Sequence, residues 1–314
     1  MIETRGLRKA YGAGKTRVEA VRGVDLDVRE GEIFGFLGPN GAGKTTTLRM
    51  LTTLLEPDGG EARIAGVDVL RDPKGVRRVC GYVAQSGGTS GGVTAREELV
   101  MQARMYGVGK AEARGRADAA ITAFQLADFA DRLCRTYSGG QRRRLDIALG
   151  VIHRPRVLFL DEPTVGLDPQ SRARLWEEVR RLRDSEGMTV FLTTHYLDEA
   201  DALCDRVSII DHGEIVAEGT PLELKRDIAG DVVTLGVNGS AAAAAELLGQ
   251  RPFVRRLETS KKGLLLYVDD ASTAIPQILR TLDGSGIEFD GMELNRPTLD
   301  DVFLTKTGRL LRES

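Results

Sequence analysis

The 314 residues suffice for one large core or two, and 44 basic against 46 acidic side chains leave a net charge of −2, without the excess that nucleic-acid binding demands. Three dispersed cysteines, Cys80, Cys134 and Cys204, form no C-x-x-C pair, which argues against a zinc site and for a reducing compartment. Apolar runs stop short of the ~20 residues that cross a bilayer, and Met1-Ile2-Glu3-Thr4-Arg5 meets charge too soon for a secretory signal.

Residues 1 to about 35 alternate apolar and polar positions, as at Val18, Ala20, Val24, Leu26 and Val28, and predict strands of a small sheet. Gly12-Ala13-Gly14-Lys15-Thr16 imitates a phosphate loop, but the pattern's first glycine would fall at Lys9 and no apolar strand precedes it, so it reads as a plain loop. Ile33-Phe34-Gly35-Phe36-Leu37 predicts a buried strand, followed by Gly38-Pro39-Asn40-Gly41-Ala42-Gly43-Lys44-Thr45 and a helix from Thr45 to Leu55. Pro57-Asp58-Gly59-Gly60 stops that helix. Strand signals return at 61–64 and 80–83, then a glycine-dense loop runs from Ser86 to Gly92. Residues 95 to about 130 read as helical, and another helix should run from Gly139 to His153. Val157–Leu160 is a short buried strand, Arg172–Ser185 an amphipathic helix, and 189–193 and 207–210 two more strands. Alternating strands and helices imply a largely parallel sheet covered on both faces.

Beyond about Pro221 the pattern changes. Strands at 232–235, 253–257, 264–268 and 287–294 and helices at 241–248 and 275–282 give a βαββαβ order, a ferredoxin-like unit of about ninety residues. The alanines Ala241–Ala245 express helix propensity. His153 and His212 match no motif and read as surface residues.

The run 38–45 fits G-x-x-x-x-G-K-[ST] in the strand–loop–helix context that marks a phosphate loop. Glycines let successive N–H groups converge on phosphate oxygens at the positive end of a helix. Lys44 then reaches the β- and γ-phosphates, and the Thr45 hydroxyl is placed to ligate Mg²⁺. Arg156–Leu160 ends in Asp161-Glu162. In a phosphate-loop protein the first acid holds Mg²⁺ and the second, Glu162, orients and deprotonates the attacking water. Without the loop, such a pair would equally suit a solvated strand end. Tyr137-Ser138-Gly139-Gly140-Gln141 puts a capping serine and two glycines at a helix start, an anion site or an ordinary cap.

With Asp161-Glu162-Pro163-Thr164 and Gly166-Leu167-Asp168, these motifs resemble the nucleotide-binding subunit of ABC transporters over residues 1 to about 225, in the right order. The resemblance implies a P-loop NTPase (RecA-like) core with an antiparallel β subdomain and an α-helical subdomain, about 93–153, followed by a C-terminal α+β domain over 226–314. His195 matches the family's switch histidine, Gln85 its glutamine loop (a further Mg²⁺ contact), and Tyr11 the aromatic that stacks on adenine. ATP would thus contact Tyr11, the loop from Gly38 through Thr46, and Ser138, Gly139, Gly140 and Gln141 of a second copy in a head-to-tail dimer, with Asp168 crossing the contact. Tyr137, where many members carry leucine, should alter packing and not the phosphate contact.

The tail, Pro297-Thr298-Leu299-Asp300-Asp301-Val302-Phe303-Leu304 with Thr307-Gly308-Arg309, resembles drug-export ATPases of the daunorubicin-resistance type, as does Arg142-Arg143-Arg144-Leu145-Asp146. That branch implies an ATPase at the cytoplasmic face of the membrane, paired with a separate ABC-2 type permease and exporting a drug or other hydrophobic compound. An importer subunit would carry a different C-terminal addition. Relatives acting on DNA or ribosomes carry coiled-coil insertions, zinc cysteines or a second nucleotide domain, and this sequence has none of them.

Overall fold

The computed structural model describes residues 1–12, 16–228, 231–237, 241–260, 263–295 and 297–308. Ala13, Gly14 and Lys15 of the expected N-terminal loop, and Arg309 of the tail, lie outside the described residues. Two compact units divide at Glu218/Gly219 and not near residue 225. The cause is helix α8 (Pro221–Ile228), which packs on α11 (Leu299–Thr307) inside the second unit.

The first unit holds two sheets. Strands β1 (Ile2–Tyr11), β2 (Val18–Val28), β4 (Gly59–Ile64) and β5 (Val67–Asp68) form an antiparallel sheet in the order β2-β1-β4-β5. The second sheet comprises β3 (Ile33–Leu37), β6 (Cys80–Val83), β7 (Val157–Asp161), β8 (Thr189–Thr194), β9 (Arg206–Asp211) and β10 (Glu214–Gly219), ordered β10-β9-β3-β8-β7-β6. From β9 to β6 every neighbouring pair is parallel. Strands β3, β7 and β8 are buried at every residue, as strands covered on both faces must be. Phe191 sits among Phe34, Phe36 and Phe159 at centroid separations of 5.6 to 5.7 Å, which knits the three strands into one layer. Parallel register brings their C-terminal ends to one edge, where loops rather than helices meet solvent.

Helix boundaries depart from the sequence pattern where backbone geometry intervenes. Helix α1 (Lys44–Leu51) stops short of Leu55 because Thr53 turns to φ 61°, and the N–H groups of Leu54 and Leu55 fold back on Arg49 O at 2.9 and 3.1 Å. The helical text from residue 95 breaks into α3 (Ala95–Met105) and α4 (Lys110–Ala123), since Gly107 at φ 82° ends the first. Helix α5 (Gly139–Val151) follows, and α6 (Pro169–Glu186) begins at Pro169 because Asp168 accepts from Ser171 N at 2.9 Å as its N-cap. Helices α2 (Pro73–Val79) and α7 (Leu197–Leu203) were not expected, although Asp72 and Pro73 form a legible start for the former.

In the second unit β11 (Asp231–Gly236), α9 (Ala241–Gly249), β12 (Val254–Ser260), β13 (Gly263–Val268), α10 (Ala271–Asp283) and β14 (Gly291–Asn295) follow the βαββαβ order. The sheet order is β12-β13-β11-β14 with antiparallel neighbours, the ferredoxin-like arrangement. Val233, Leu235, Leu264, Leu266 and Val268 form its buried face against Ala244, Leu248, Ala274, Ile278 and Leu282.

His153 is not a surface residue. Its ring stacks on Tyr106 at 3.7 Å and 5°, and Nε2 lies 3.0 Å from Cys80 O, which leaves Nδ1 buried without a partner. Burial holds its pKa below the usual 6.5, and Arg116 acts the same way. His212, by contrast, is 70% exposed. All three cysteines are free and buried, and burial raises the Cys80 thiol to about 12 and Cys134 to about 11. As pH falls through 6.5 the unfolded chain takes up a proton at His153 before the folded one, so stability is lost in that window. His153→Phe, which keeps the ring stack, should lose less thermal midpoint than wild type between pH 7.5 and 5.5 in a melting series; equal losses would show that His153 does not set this acid limb.

Candidate active site

The phosphate loop leaves β3 and is pinned from three sides: Gly38 N donates to Thr194 O at 3.2 Å, Gly213 N to Ala42 O at 3.0 Å and Ala42 N to Pro39 O at 3.2 Å. Gly43 sits at φ 106°, and a Cβ there would run into the carbonyl of Ala20, so only glycine closes the loop against β2. Lys44 is 4% exposed and curls inward, donating to Gly38 O at 2.7 Å and Pro39 O at 3.0 Å, with Glu162 Oε1 at 3.2 Å. Burial pulls its pKa down while Glu162 counters.

Asp161 and Glu162 end β7 facing this lysine. Asp161 Oδ1 accepts from Thr45 Oγ1 at 3.0 Å and Thr193 Oγ1 at 2.7 Å. Glu162 takes φ 43°, a costly backbone for a non-glycine residue, held by its N–H donating to Thr193 O and Oγ1 at 3.1 and 3.0 Å. Its Oε2 accepts from Gln85 Nε2 at 3.0 Å and lies 3.3 Å from His195 Nδ1. Residues from four strand ends thus meet at one carboxylate. A cavity of about 190 Å³ opens beside it, lined by Ala20, Asn40, Gly41, Gly43, Thr46 and Lys44 together with Thr45, Gln85 and Glu162. Tyr11, 43% exposed, reaches Thr46 Oγ1 at 3.4 Å and pairs across the sheet with exposed Val18. Gly38, Pro39 and Ala42 are buried scaffold beneath the loop.

Thr45, Asp161 and Gln85 offer only oxygen donors near the cavity, and no cluster of three or more His, Cys, Asp or Glu able to hold a metal occurs among the described residues. Such a set suits Mg²⁺, which takes few protein ligands and fills its octahedron with phosphate and water.

Ser138–Gln141 lies elsewhere. Ser138 Oγ accepts from Gln141 N at 3.3 Å and Gln141 Oε1 from Ser138 N at 3.0 Å, a capping box that starts α5. Ser138, Gly140 and Gln141 line a separate cavity of about 180 Å³ with Leu167 and Ser171. A Cβ at Gly140 would stand 2.7 Å from Ser171 Oγ, so the Ser171 side chain would have to shift to accept one. Asp168 is exposed and accepts from Ser171 Oγ at 2.7 Å. One chain therefore does not bring Ser138–Gln141 or Asp168 to its own phosphate loop. Tyr137 is buried edge-on to Phe129 and donates to Phe129 O at 2.6 Å.

Sequence reading assigned no role to Arg143 or Thr193. Buried Arg143 donates to Ala84 O at 2.7 Å, Pro163 O at 2.7 Å and Asp161 O at 3.2 Å, tying the ends of β6 and β7 to α5. An arginine run conceals this, since Arg142 and Arg144 on either side look alike in sequence.

A strand–loop–helix phosphate site after β3, an acidic pair closing β7 and a histidine after β8 define a P-loop ATPase of the ABC type. The ABC transporter family matches residues 21–165, and residues 219–307 match the C-terminal domain of ATP-binding proteins of the DrrA1-3-like type. The daunorubicin/doxorubicin resistance ATP-binding protein of Streptomyces peucetius is 45% identical over 98% of this chain and 92% of its own. The linearmycin resistance ATP-binding protein of Bacillus subtilis (strain 168) is 34% identical over 100% of both chains. Among solved structures, the dimeric post-hydrolysis state of the ATP-binding cassette MJ0796 bound to ADP and Pi superposes with a TM-score of 0.65, at 27% identity, over 70% of this chain and 98% of that one. The chain belongs to the ABC transporter family, as an ATP-binding subunit of the daunorubicin-resistance branch.

Arg143→Met should destabilise the first unit by about 3 kcal/mol, because three buried carbonyls lose a charged donor. Urea unfolding followed at that unit checks this; a loss below about 1 kcal/mol would show that these ends are held by other contacts.

Proposed function

We propose that this chain is the ATP-hydrolysing motor of an exporter, working as a head-to-tail pair at the cytoplasmic face of the membrane with a separate transmembrane permease. The carrying observation is a divided site: Lys44, Glu162 and Gln85 line one cavity, with His195 beside Glu162, while Ser138, Gly140 and Gln141 line another in the same chain. A second copy supplies the missing half, as the dimeric cassette above suggests. No helix among the described residues is long and apolar enough to cross a membrane; the relatives, named as ATP-binding proteins, support a separate chain for the cargo path. The relatives confer resistance to daunorubicin, doxorubicin and linearmycin, which favours a drug or other hydrophobic compound as cargo.

The chemistry follows from the partners of Glu162. An ATP phosphate entering the loop takes the Lys44 ammonium away from Glu162 Oε1. Thr45, Asp161 and Gln85 would hold Mg²⁺, which when bound neutralises charge on the phosphate oxygens. Glu162, released from Lys44, accepts the proton of a water as its oxygen bonds to the γ-phosphorus and the bond to the β-phosphate oxygen breaks. His195, beside Glu162 Oε2, holds the γ-phosphate end of the site. Tyr11 stacks on the adenine and Asp168 meets the partner copy.

Glu162→Gln should lower phosphate release by 10² to 10⁴ yet retain Mg-ATP, so that size-exclusion chromatography shows an ATP-dependent dimer. Turnover like wild type would remove Glu162 from the role of base. Lys44→Ala should weaken Mg-ATP binding by about tenfold or more in calorimetry, through loss of a charge-assisted phosphate contact. An unchanged affinity would place the phosphates elsewhere.

A further inference from the structure

Glu199, on α7 four positions after His195, is a carboxylate with no exposed surface. Trp176 Nε1 donates to its Oε1 at 3.1 Å, while Oε2 makes no hydrogen bond. Thr164, two positions after Glu162 and also fully buried, has an equally unpartnered hydroxyl. Burial pushes the Glu199 carboxyl above the usual range, and the Thr164 and Thr194 hydroxyls lie near it, yet neither completes a hydrogen bond to Oε2. Arg172 Nε, on the neighbouring α6, is a third buried polar atom without a partner. Native structures leave few such atoms, and they cluster here around the two segments that leave the hydrolytic edge.

The surroundings are firmly joined. Arg172 lies 4.5 Å over the Tyr196 ring and 2.9 Å from Asp198, and Arg180 donates to Ala202 O at 2.6 Å, so α6 and α7 are held together. Tyr196 N donates to Thr194 Oγ1 at 2.9 Å, fixing the exit of β8 that presents His195. The segment from Pro163 to Asp168 brings the Thr164 hydroxyl to this block without a partner. That segment follows the base, and its far end caps α6.

We propose that Glu199 is a positioning residue for hydrolysis, accepting from the Thr164 hydroxyl a hydrogen bond that is open in this structure and made when the site closes on nucleotide. The proposal rests on the reading above, in which Glu162 and His195 act on bound ATP. Making the bond draws the Glu162 exit toward the block that carries His195 and sets base and histidine for attack. An interaction realised only in the closed state contributes to turnover and not to nucleotide affinity. It also leaves the resting fold with an unsatisfied group, so removing the hydroxyl should not weaken that fold.

The test measures phosphate release, Mg-ATP affinity and thermal midpoint for the full chain carrying Thr164→Val, Glu199→Leu or Glu199→Gln. Thr164→Val should keep or raise the midpoint and hold ATP affinity within about twofold, while kcat falls about tenfold. Glu199→Leu should lower kcat similarly, and Glu199→Gln, which retains an acceptor for Trp176 and a polar group toward Thr164, should restore it to within about threefold of wild type. A Thr164→Val protein with wild-type kcat overturns the proposal while the ATPase reading stands. So does a kcat loss matched by equal losses in midpoint and affinity, which marks a merely structural contact. Wild-type protein that releases no phosphate overturns both.

Discussion

The buried contact between Lys44 and Glu162 is the constraint around which this molecule is built. An ammonium and a carboxylate with almost no exposed surface hold one another in place, because either alone would be a costly buried charge. The loop carbonyls of Gly38 and Pro39 complete the lysine's hydrogen bonds, and Gln85 completes those of the glutamate. A phosphate is the natural competitor for this lysine, since it offers more negative charge in the same place. Binding and activation of the base are thereby one exchange of partners.

The parallel sheet makes that exchange possible by delivering four chain segments to one edge. Strand β3 brings the loop, β6 Gln85, β7 the acidic pair and β8 His195. Thr193 shows how tightly the edge is specified: its hydroxyl donates to Asp161 and accepts from the Glu162 N–H, so one side chain aligns both acids. The strained backbone at Glu162 survives because these contacts over-determine it.

Much of this was legible in the sequence for a physical reason. Short apolar runs that end in glycines or acids can hardly be anything but central parallel strands feeding a loop, and β3, β7 and β8 appear as expected. The βαββαβ order of the second unit was equally plain from period alone. Periodicity is silent on tertiary partners, however. Arg143 cannot be told from Arg142 without knowing which carbonyls lie beneath it, and His153 reads as a surface residue until Tyr106 is brought onto its ring. The unit boundary is hidden for the same reason, since α8 is claimed by α11, far along the chain.

The sealed thiols have a practical meaning. Each of the three native sulfurs sits inside the protein, and burial keeps at least two of them protonated far above neutral pH. The protein should tolerate mild oxidants without cross-linking. A single cysteine placed on an exposed position would then carry a spectroscopic probe alone, with no background labelling from the native set.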